Sequence, residues 1–470
     1  MNSGTKKIGL MKIFFVLAVL ISTLTYTIRV IDGWIHVPLL ISAAVAALVA
    51  ISAGHKWEDL EKGIVETMSM ALPAIMIMLV IGMIVGVWIT AGVVPAMIFY
   101  GLKILSPGIF LIATCIMCAV VSLATGSSWT TAATVGIALI GVGSGLGIPL
   151  PMVAGAIISG SYFGDKMSPL SDTTNLAPAM AGAKLFDHIR HMLYTTGPSM
   201  VISLVLFGIL GLKFAGREID TVGINQMLTA LSGSFTITPL LLLCPVFVIG
   251  IVVKKVPALP GLFSGVVLGG LFAVIFQGAS LGDLFYSAYE GYIGATGIEL
   301  VDSLLTRGGI AGMYYTIGLI ICAMIFGGIM DKSGMLRELT AAIMKRANST
   351  GSLVTATVLT AIATNLVAGD QYLAIVLPGR MYKDMYDERG LHPKNLSRAL
   401  EDSGTLTSPL IPWNTCGAYM YASLGVHPFA YLPYAFLNII NPVISIIYGY
   451  TGFSMHKVDV EIESKEALEA

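Results

Sequence analysis

The sequence predicts an all-α polytopic membrane protein: two inverted repeats, each of about five transmembrane helices plus a re-entrant hairpin, with discontinuous helices. Three observations predict it. Of 470 residues, 56% are hydrophobic and only 11% charged, against about 25% charged in soluble domains. The apolar residues fall in blocks of about 20, the length that carries a helix across a ~30 Å hydrocarbon layer. Several blocks are interrupted by Gly, Pro, hydroxyl and carboxylate residues, and the interruptions recur in the same order in both halves. The ten-residue alternating segments of a transmembrane barrel do not appear.

The first apolar run, 11–30, follows Lys6 and Lys7 as a signal peptide would. No small-residue cleavage site follows it, and further spans do, so it reads as a retained first helix. Uninterrupted spans are expected at 35–53, 70–91, 192–212, 236–254, 259–278, 311–331 and 428–450. The stretches "WEDLEKG" (57–63) and "LGDLFYSAYEG" (281–291) read as short interfacial amphipathic helices. The Met-rich run at 66–83 reads as helix packing. Four apolar stretches are broken: 108–142 at "TGSSWTT", 150–185 at "GDKMSPLSDTTN", 351–380 at "VAGDQ" and 399–425 at "EDSGTLTSPLIPWNT". A non-helical break at membrane depth survives only inside protein or beside a watery cavity, because its backbone polar groups need partners.

The breaks pair up. G-x-x-x-S-P-L occurs at Gly164–Leu170 and at Gly404–Leu410, an offset of 240. "TGSSW" (125–129) matches "AGDQY" (368–372) through Gly126 and Gly369, and "GVWITAG" (86–92) matches "GIMDKSG" (328–334). This order predicts a first repeat over 8–213, a linker over 214–234, a second repeat over 235–452 and a cytoplasmic tail over 453–470.

With 108–142 and 351–380 as re-entrant hairpins, each repeat has an odd number of crossings and the second is inverted. With the N-terminus inside, the cytoplasmic loops then hold Lys56, Lys62, Lys184, Arg190, Lys254, Lys255, Lys332, Arg337, Lys345, Arg346, Arg380, Lys383, Arg389, Lys394 and Arg398. The outer loops hold Lys103, Arg217 and Arg307 beside Asp283, Glu290, Glu299 and Asp302. This is the asymmetry of the positive-inside rule.

A carboxylate at membrane depth costs several kcal/mol unless paired or solvated, so it is a functional candidate. Asp165 and Asp172 lie in the first broken crossing, Asp370 at the second hairpin tip, and Glu401 and Asp402 at the start of the second broken crossing. Ser127, Ser128, Thr130, Ser168, Thr173, Asn175, Ser408 and Asn414 stand near them. Carboxylate, hydroxyl, amide and freed carbonyl oxygens suit a hard cation such as Na+. Half-helix ends add carbonyls that favour cations and N–H groups that favour anions. Burial favours a neutral carboxyl, so a group that holds either a proton or Na+ couples the two ions. With alternating access, competition at Asp165 and Asp172 gives antiport.

Plainer roles exist for the same residues. Lys166 could pair with Asp165, Asp172 could cap the helix after it, and Glu401 and Asp402 could be solvated at the cytoplasmic mouth. Asp331 and Lys332 read as interfacial.

Net charge of −1 leaves no polybasic footprint for nucleic acid. Cys115, Cys118, Cys244, Cys322 and Cys416 lie in apolar stretches, so "CIMC" reads as packing. No P-loop appears, against an energised pump, and no H-E-x-x-H helix or nucleophile–base pair, against a membrane enzyme. A channel would need a continuous polar pore, whereas Gly/Pro breaks in mirrored halves favour alternating access.

"GSYFGDKMSPLSDTTNLAPAMAG" (160–182), "TGSSWTTAATVGIA" (125–138) and "GLIICAMIFGGIMDKSGML" (318–336) resemble the NhaC family of bacterial Na+/H+ antiporters. The span plan fits from about residue 10 to 452. The resemblance implies kinship with the wider ion-transporter superfamily, in which inverted repeats of five spans and a hairpin build transport and scaffold domains, usually in an elevator-like homodimer. It implies a multi-pass protein of the bacterial cytoplasmic membrane that carries Na+ and H+ without a cofactor. The ion-binding positions would fall on Ser127, Ser128, Thr130, Asp165, Ser168, Asp172, Thr173, Asn175, Asp370, Asp402, Ser408 and Asn414, with Na+ at Asp165, Asp172 and Asp370. Other members of the family resemble malate–lactate exchangers that use H+ and Na+, or amino-acid carriers. For a carboxylate substrate, Lys166 and Arg380 are the nearby basic candidates, and the hydroxyls of "TGSSWTT" and "SDTTN" are alternative partners.

Overall fold

The computed structural model describes residues 7–31, 33–215, 221–254, 256–345 and 347–458. Lys6, Lys255, Arg346, the linker stretch 216–220 with Arg217, and the tail 459–470 lie outside these. Among the described residues the chain is helical, with no strand and two isolated bridges, Tyr292–Arg307 and Leu391–Lys457. Apolar runs of this kind must satisfy their backbone internally, and a helix does so within one segment.

The chain opens with α1 (Leu10–Tyr26), which a π-turn extends to Ile31, and continues as α2 (His36–Ser52), α3 (Trp57–Thr90) and α4 (Val93–Ile104). Next come α5 (Pro107–Thr125), α6 (Ser128–Thr131), α7 (Ile137–Gly145), α8 (Leu150–Met167), α9 (Asp172–Ala181) and α10 (Leu185–Ala215). A helix α11 (Thr221–Ser234) occupies the expected linker. Beyond it lie α12 (Leu243–Val253), α13 (Ala258–Gln277), α14 (Leu281–Tyr289), α15 (Glu299–Leu305), α16 (Tyr314–Lys332) and α17 (Met335–Met344). The last group is α18 (Thr350–Ala368), α19 (Gln371–Asp387), α20 (Pro393–Leu400), α21 (Thr415–Leu424), α22 (Pro428–Tyr431) and α23 (Phe436–Thr451). Among the described residues seven helices are long and apolar enough to cross a membrane, or up to nine if each of two bent pairs is one span. Phe14, Phe15, Val201, Val205, Val267 and Leu271 are exposed on them. The chain is a multi-pass membrane protein.

Two expected boundaries are corrected. The span expected at 428–450 is instead a pair of helices, Pro428–Tyr434 and Phe436–Thr451, bent by 61° between them. "WEDLEKG" is no separate interfacial helix but the start of α3, which runs 34 residues. At 1.5 Å per residue such a helix spans about 51 Å, longer than the hydrocarbon, so its charged first turns reach water without a break. The second stretch, α14, is a separate short helix, capped reciprocally by Ser280 and Asp283.

Element boundaries recur along the chain. α5 and α18 begin at 107 and 350 and end at 125 and 368, so both ends differ by 243. α9 and α21 begin at 172 and 415 and end at 181 and 424, again 243 apart, as are the starts of α8 and α20 (150, 393) and of α10 and α22 (185, 428). Left-handed glycines follow the pattern: Gly92 and Gly334 open α4 and α17, and Gly182 and Gly425 close α9 and α21.

α3 packs against α13, α14 and α16, with Trp88 buried and its indole N–H on Gly265 O at 2.9 Å. α5 lies along α8 and α10, and α18 packs on α19 and α23. A second apolar core, with Leu353, Tyr382, Tyr386 and Leu396, joins α9, α18, α19 and α20.

Candidate functional site

The site is built from two helix tips and two helix breaks. α5 stops at Thr125 because Gly126 adopts φ 70°, a left-handed conformation that costs glycine nothing. Ser127 then caps α6, its Oγ accepting the Thr130 N–H at 3.1 Å. The second tip repeats this geometry: Gly369 has φ 68°, and Asp370 caps α19 by accepting the Leu373 N–H at 3.0 Å. A Cβ on Gly126 would stand 2.6 Å from Leu170 Cβ and 2.8 Å from its carbonyl carbon, so this tip sits directly on the α8–α9 break.

α8 stops at Met167, Ser168 is extended, and Pro169 follows. Thr174 Oγ1 donates to the carbonyls of Asp165 (3.2 Å), which also accepts the Ser168 N–H at 3.1 Å, and Lys166 (3.0 Å) at the open end of α8. Asn175 Nδ2 donates to Pro169 O at 2.9 Å and Ser171 O at 2.7 Å. The cap of α9 is Ser171, and Asp172 is the first helical residue, so the expected cap lies one position earlier. The second break is tied differently. α20 passes through a π-turn (Glu401–Thr405) and a 3₁₀ turn (Ser408–Leu410), and Asn414 caps α21 through the Cys416 N–H at 3.0 Å. Asn414 Nδ2 donates to Asn365 Oδ1 at 3.0 Å, and the Thr415 N–H donates to Gly369 O at 2.8 Å, joining tip and break.

Asp165 is the meeting point of the first pair. Its Oδ2 accepts the Ser128 hydroxyl at 2.6 Å and the Ser128 N–H at 3.2 Å. It borders a cavity of about 750 Å³. One wall is polar: Thr125, Ser127, Thr130, Asp165, Ser171, Asp172, Thr173, Asp370, Gln371 and Thr415. The other is apolar: Met70, Pro73, Ala74 and Ile77 of α3, with Val252, Val256, Pro257, Ala258 and Leu262 around the α12–α13 turn. Trp129, which lines the cavity, stacks on Tyr419 of α21 with ring centroids 3.9 Å apart, joining the first tip to the helix that follows the second break.

Of the residues expected at the site, Ser127, Thr130, Asp165, Asp172, Thr173 and Asp370 line this one cavity. Ser128 stands behind Asp165. The remaining candidates do not border the cavity. Ser168 is buried in the break, where its Oγ accepts the Leu170 N–H at 3.3 Å. Asn175 is exposed, Ser408 donates to Gln371 Oε1 at 3.2 Å, and Asn414 is a cap. Asp402 is fully buried elsewhere and paired with Lys166. That corrects two expectations at once. Lys166 does not pair with Asp165, and Asp402 and Glu401 are not solvated, both being fully buried.

Gln371, Tyr372 and the apolar wall were not anticipated. Gln371 follows a tip carboxylate, a signal that was available. The apolar wall has no signal, since a methionine facing a cavity and one facing lipid look alike in sequence.

Among the described residues no three of His, Cys, Asp and Glu gather to hold a metal ion. The donor set is instead a carboxylate with hydroxyl oxygens, hard ligands of the kind that suit a hard cation. Thr130 Oγ1, buried at the cavity wall, has no hydrogen-bond partner and is available to such an ion.

Residues 160–453 match the Na+/H+ antiporter family. The chain is 40% identical to the Na(+)/H(+) antiporter NhaC of Alkalihalophilus pseudofirmus, over 90% of this chain and 91% of that one. It is 40% identical to the Malate-2H(+)/Na(+)-lactate antiporter of Bacillus subtilis, over 94% and 95%. It is 39% identical to the Arginine/ornithine antiporter ArcD of Halobacterium salinarum, over 92% and 90%. The chain belongs to the Na+/H+ antiporter family, a family of transporters rather than enzymes.

Proposed function

We propose that this protein is a secondary antiporter of a bacterial cytoplasmic membrane, exchanging Na+ for H+ at Asp165. The observation that carries this reading is the placement of one buried carboxylate at the junction of a helix tip and a helix break, facing a cavity that Asp172 and Asp370 also line. Na+ takes oxygens from Asp165 and nearby hydroxyls such as Thr130. A proton on Asp165 removes the charge the cation needs, so the two ions exclude each other and each leaves when the other arrives.

The 243-residue recurrence of element boundaries supports two repeats, and the distribution of Lys and Arg supports their inversion. In that topology the α12–α13 turn, with Lys254, faces the cytoplasm. The cavity reaches this turn at Val256–Ala258, which supports reading the conformation as inward-facing. Alternating access then carries the tips and breaks past the apolar wall of α3, α12 and α13. By the family resemblance the working unit is a homodimer.

A second reading is a malate–lactate type exchange coupled to Na+ and H+. It is favoured by the cavity itself, which at about 750 Å³ with one apolar wall falls in the size range of small-molecule sites. The experiment is reconstitution with an internal pH dye: a Na+ jump that moves protons without organic acid supports the first reading. Proton and Na+ movement that appears only with malate and lactate on opposite sides supports the second and overturns the first.

A further inference from the structure

Lys166 directly follows Asp165, yet its side chain leaves the cavity and enters the space between the two interrupted crossings. There its ammonium meets Asp402 Oδ1, and neither side chain has any exposure. Asn441 Oδ1 accepts from the same ammonium at 3.2 Å, and Thr195 Oγ1 donates to Asp402 Oδ1 at 3.0 Å. Arg398 Nε lies 3.8 Å from Asp402 Oδ2. These partners belong to α10, α20, α23 and the π-turn that continues α20. One buried cluster therefore ties the last turn of α8 to the second broken crossing and to two long helices.

Charges without exposure persist only when paired and hydrogen-bonded, and such a pair can specify one arrangement of the elements that carry it. Neighbouring helical residues point about 100° apart. Fixing Lys166 against Asp402 and Asn441 therefore fixes the rotation of α8's last turn, and with it the direction of Asp165 towards Ser128 and the cavity. Neither Lys166 nor Asp402 borders the cavity, so neither is exposed to an ion passing through it.

We propose that Lys166 and Asp402 form a positioning pair: they lock the two interrupted crossings together and aim Asp165, and neither charge is exchanged for Na+ or H+ during transport. The inference rests on the antiport reading. Its test uses the full chain in phospholipid vesicles, with radioactive Na+ uptake driven by an imposed pH gradient and the Na+:H+ ratio taken from reversal potentials.

Lys166→Arg and Asp402→Glu keep both charges but move the paired atoms. Each is expected to raise the KM for Na+ by about tenfold with Vmax little changed, as for a displaced but intact site, and to leave the ratio unchanged. The double variant K166Q/D402N replaces the ions with an amide pair. It is expected to recover transport that K166Q and D402N lose singly, again at the wild-type ratio. A wild-type KM in both conservative variants overturns the proposal. So does a changed ratio in the double variant, or a double variant that runs as a single gel-filtration peak yet does not transport. If the double variant does not fold, the conservative variants decide. Wild-type vesicles that move no protons on Na+ addition would instead remove the antiport reading, and the KM comparison would pass to malate and lactate exchange.

Discussion

Replacing Gly164 with alanine sets two effects of opposite sign against each other. In an unobstructed helix interior the change stabilises by about 0.5–1 kcal/mol. At Gly164 the added methyl meets α5: its Cβ would overlap Leu123 N and Ala119 O and stand 2.6 Å from Ser122 Cβ. Two of these obstacles are backbone atoms and cannot rotate away. Ordinary carbon contacts begin near 3.5 Å, so α8 must retreat by roughly 1 Å. Overpacking costs about 1–3 kcal/mol, and the upper end applies, which leaves a net loss of about 2 kcal/mol after the propensity gain. Asp165 is the next residue. A 1 Å retreat stretches the 2.6 Å Ser128–Asp165 hydrogen bond beyond bonding distance. A hydrogen bond to a charged group contributes about 1.5–3 kcal/mol, which is roughly 10- to 150-fold in Na+ affinity. The assay is thermal unfolding in detergent beside the KM for Na+ in vesicles. G164A should unfold a few degrees lower and bind Na+ more weakly. Gly250→Ala on α12, where nothing lies within 4 Å of the new methyl, should unfold at the same temperature or higher. A G164A protein with wild-type stability and KM would refute the packing argument.

Other outcomes follow from the same structure. Asp370→Asn keeps an oxygen for the Leu373 N–H and so should retain the unfolding temperature while weakening Na+ binding; Asp370→Ala should in addition lose about 1 kcal/mol with the cap. Lys166→Met leaves Asp402 buried with Arg398 at 3.8 Å as its nearest cation, and denaturant unfolding should show a loss of about 3–5 kcal/mol. In the loop around α15, the Thr296 hydroxyl and amide and the Gly297 amide hold the Asp302 carboxyl below its ordinary 3.8. A depressed carboxyl stabilises the folded loop fully above its unfolded value and loses that contribution as pH falls through the folded one. Protection of the Thr296 and Gly297 amides from exchange, relative to an unstructured peptide at the same pH, should therefore fall in acid below the usual carboxylate range, and Asp302→Asn should remove that fall. Protection as acid-sensitive in the variant as in the wild type would refute this assignment.

The helix breaks were legible because they rest on local chemistry. Gly126 and Gly369 end helices through a conformation other residues avoid, and Ser127, Asp370, Ser171 and Asn414 begin the next ones as caps, so tip and break can be read from a few residues each. That Asp165, Asp172 and Asp370 would share one cavity also followed from placing them on those breaks. The partners of charged groups were not legible. Lys166 stands beside Asp165 in sequence, which made that pair the natural guess, but adjacent helical residues diverge, and its true partner lies 236 positions away. The charges at 58–62 suggested a helix lying on the membrane, whereas a helix longer than the bilayer is thick keeps them in water as its own first turns. The wall of Met70, Pro73, Val252 and Leu262 carries no mark that separates it from lipid-facing surface.

The claim beneath the whole account is that sodium and a proton compete for Asp165. Proton release on Na+ addition, measured by pH electrode with purified protein in weakly buffered detergent, tests it with no membrane or gradient involved. Wild-type protein should release protons saturably with Na+, less so as the starting pH rises, and Asp165→Asn should release none while unfolding at a similar temperature. Undiminished Na+-dependent release from the Asp165→Asn protein would contradict the account.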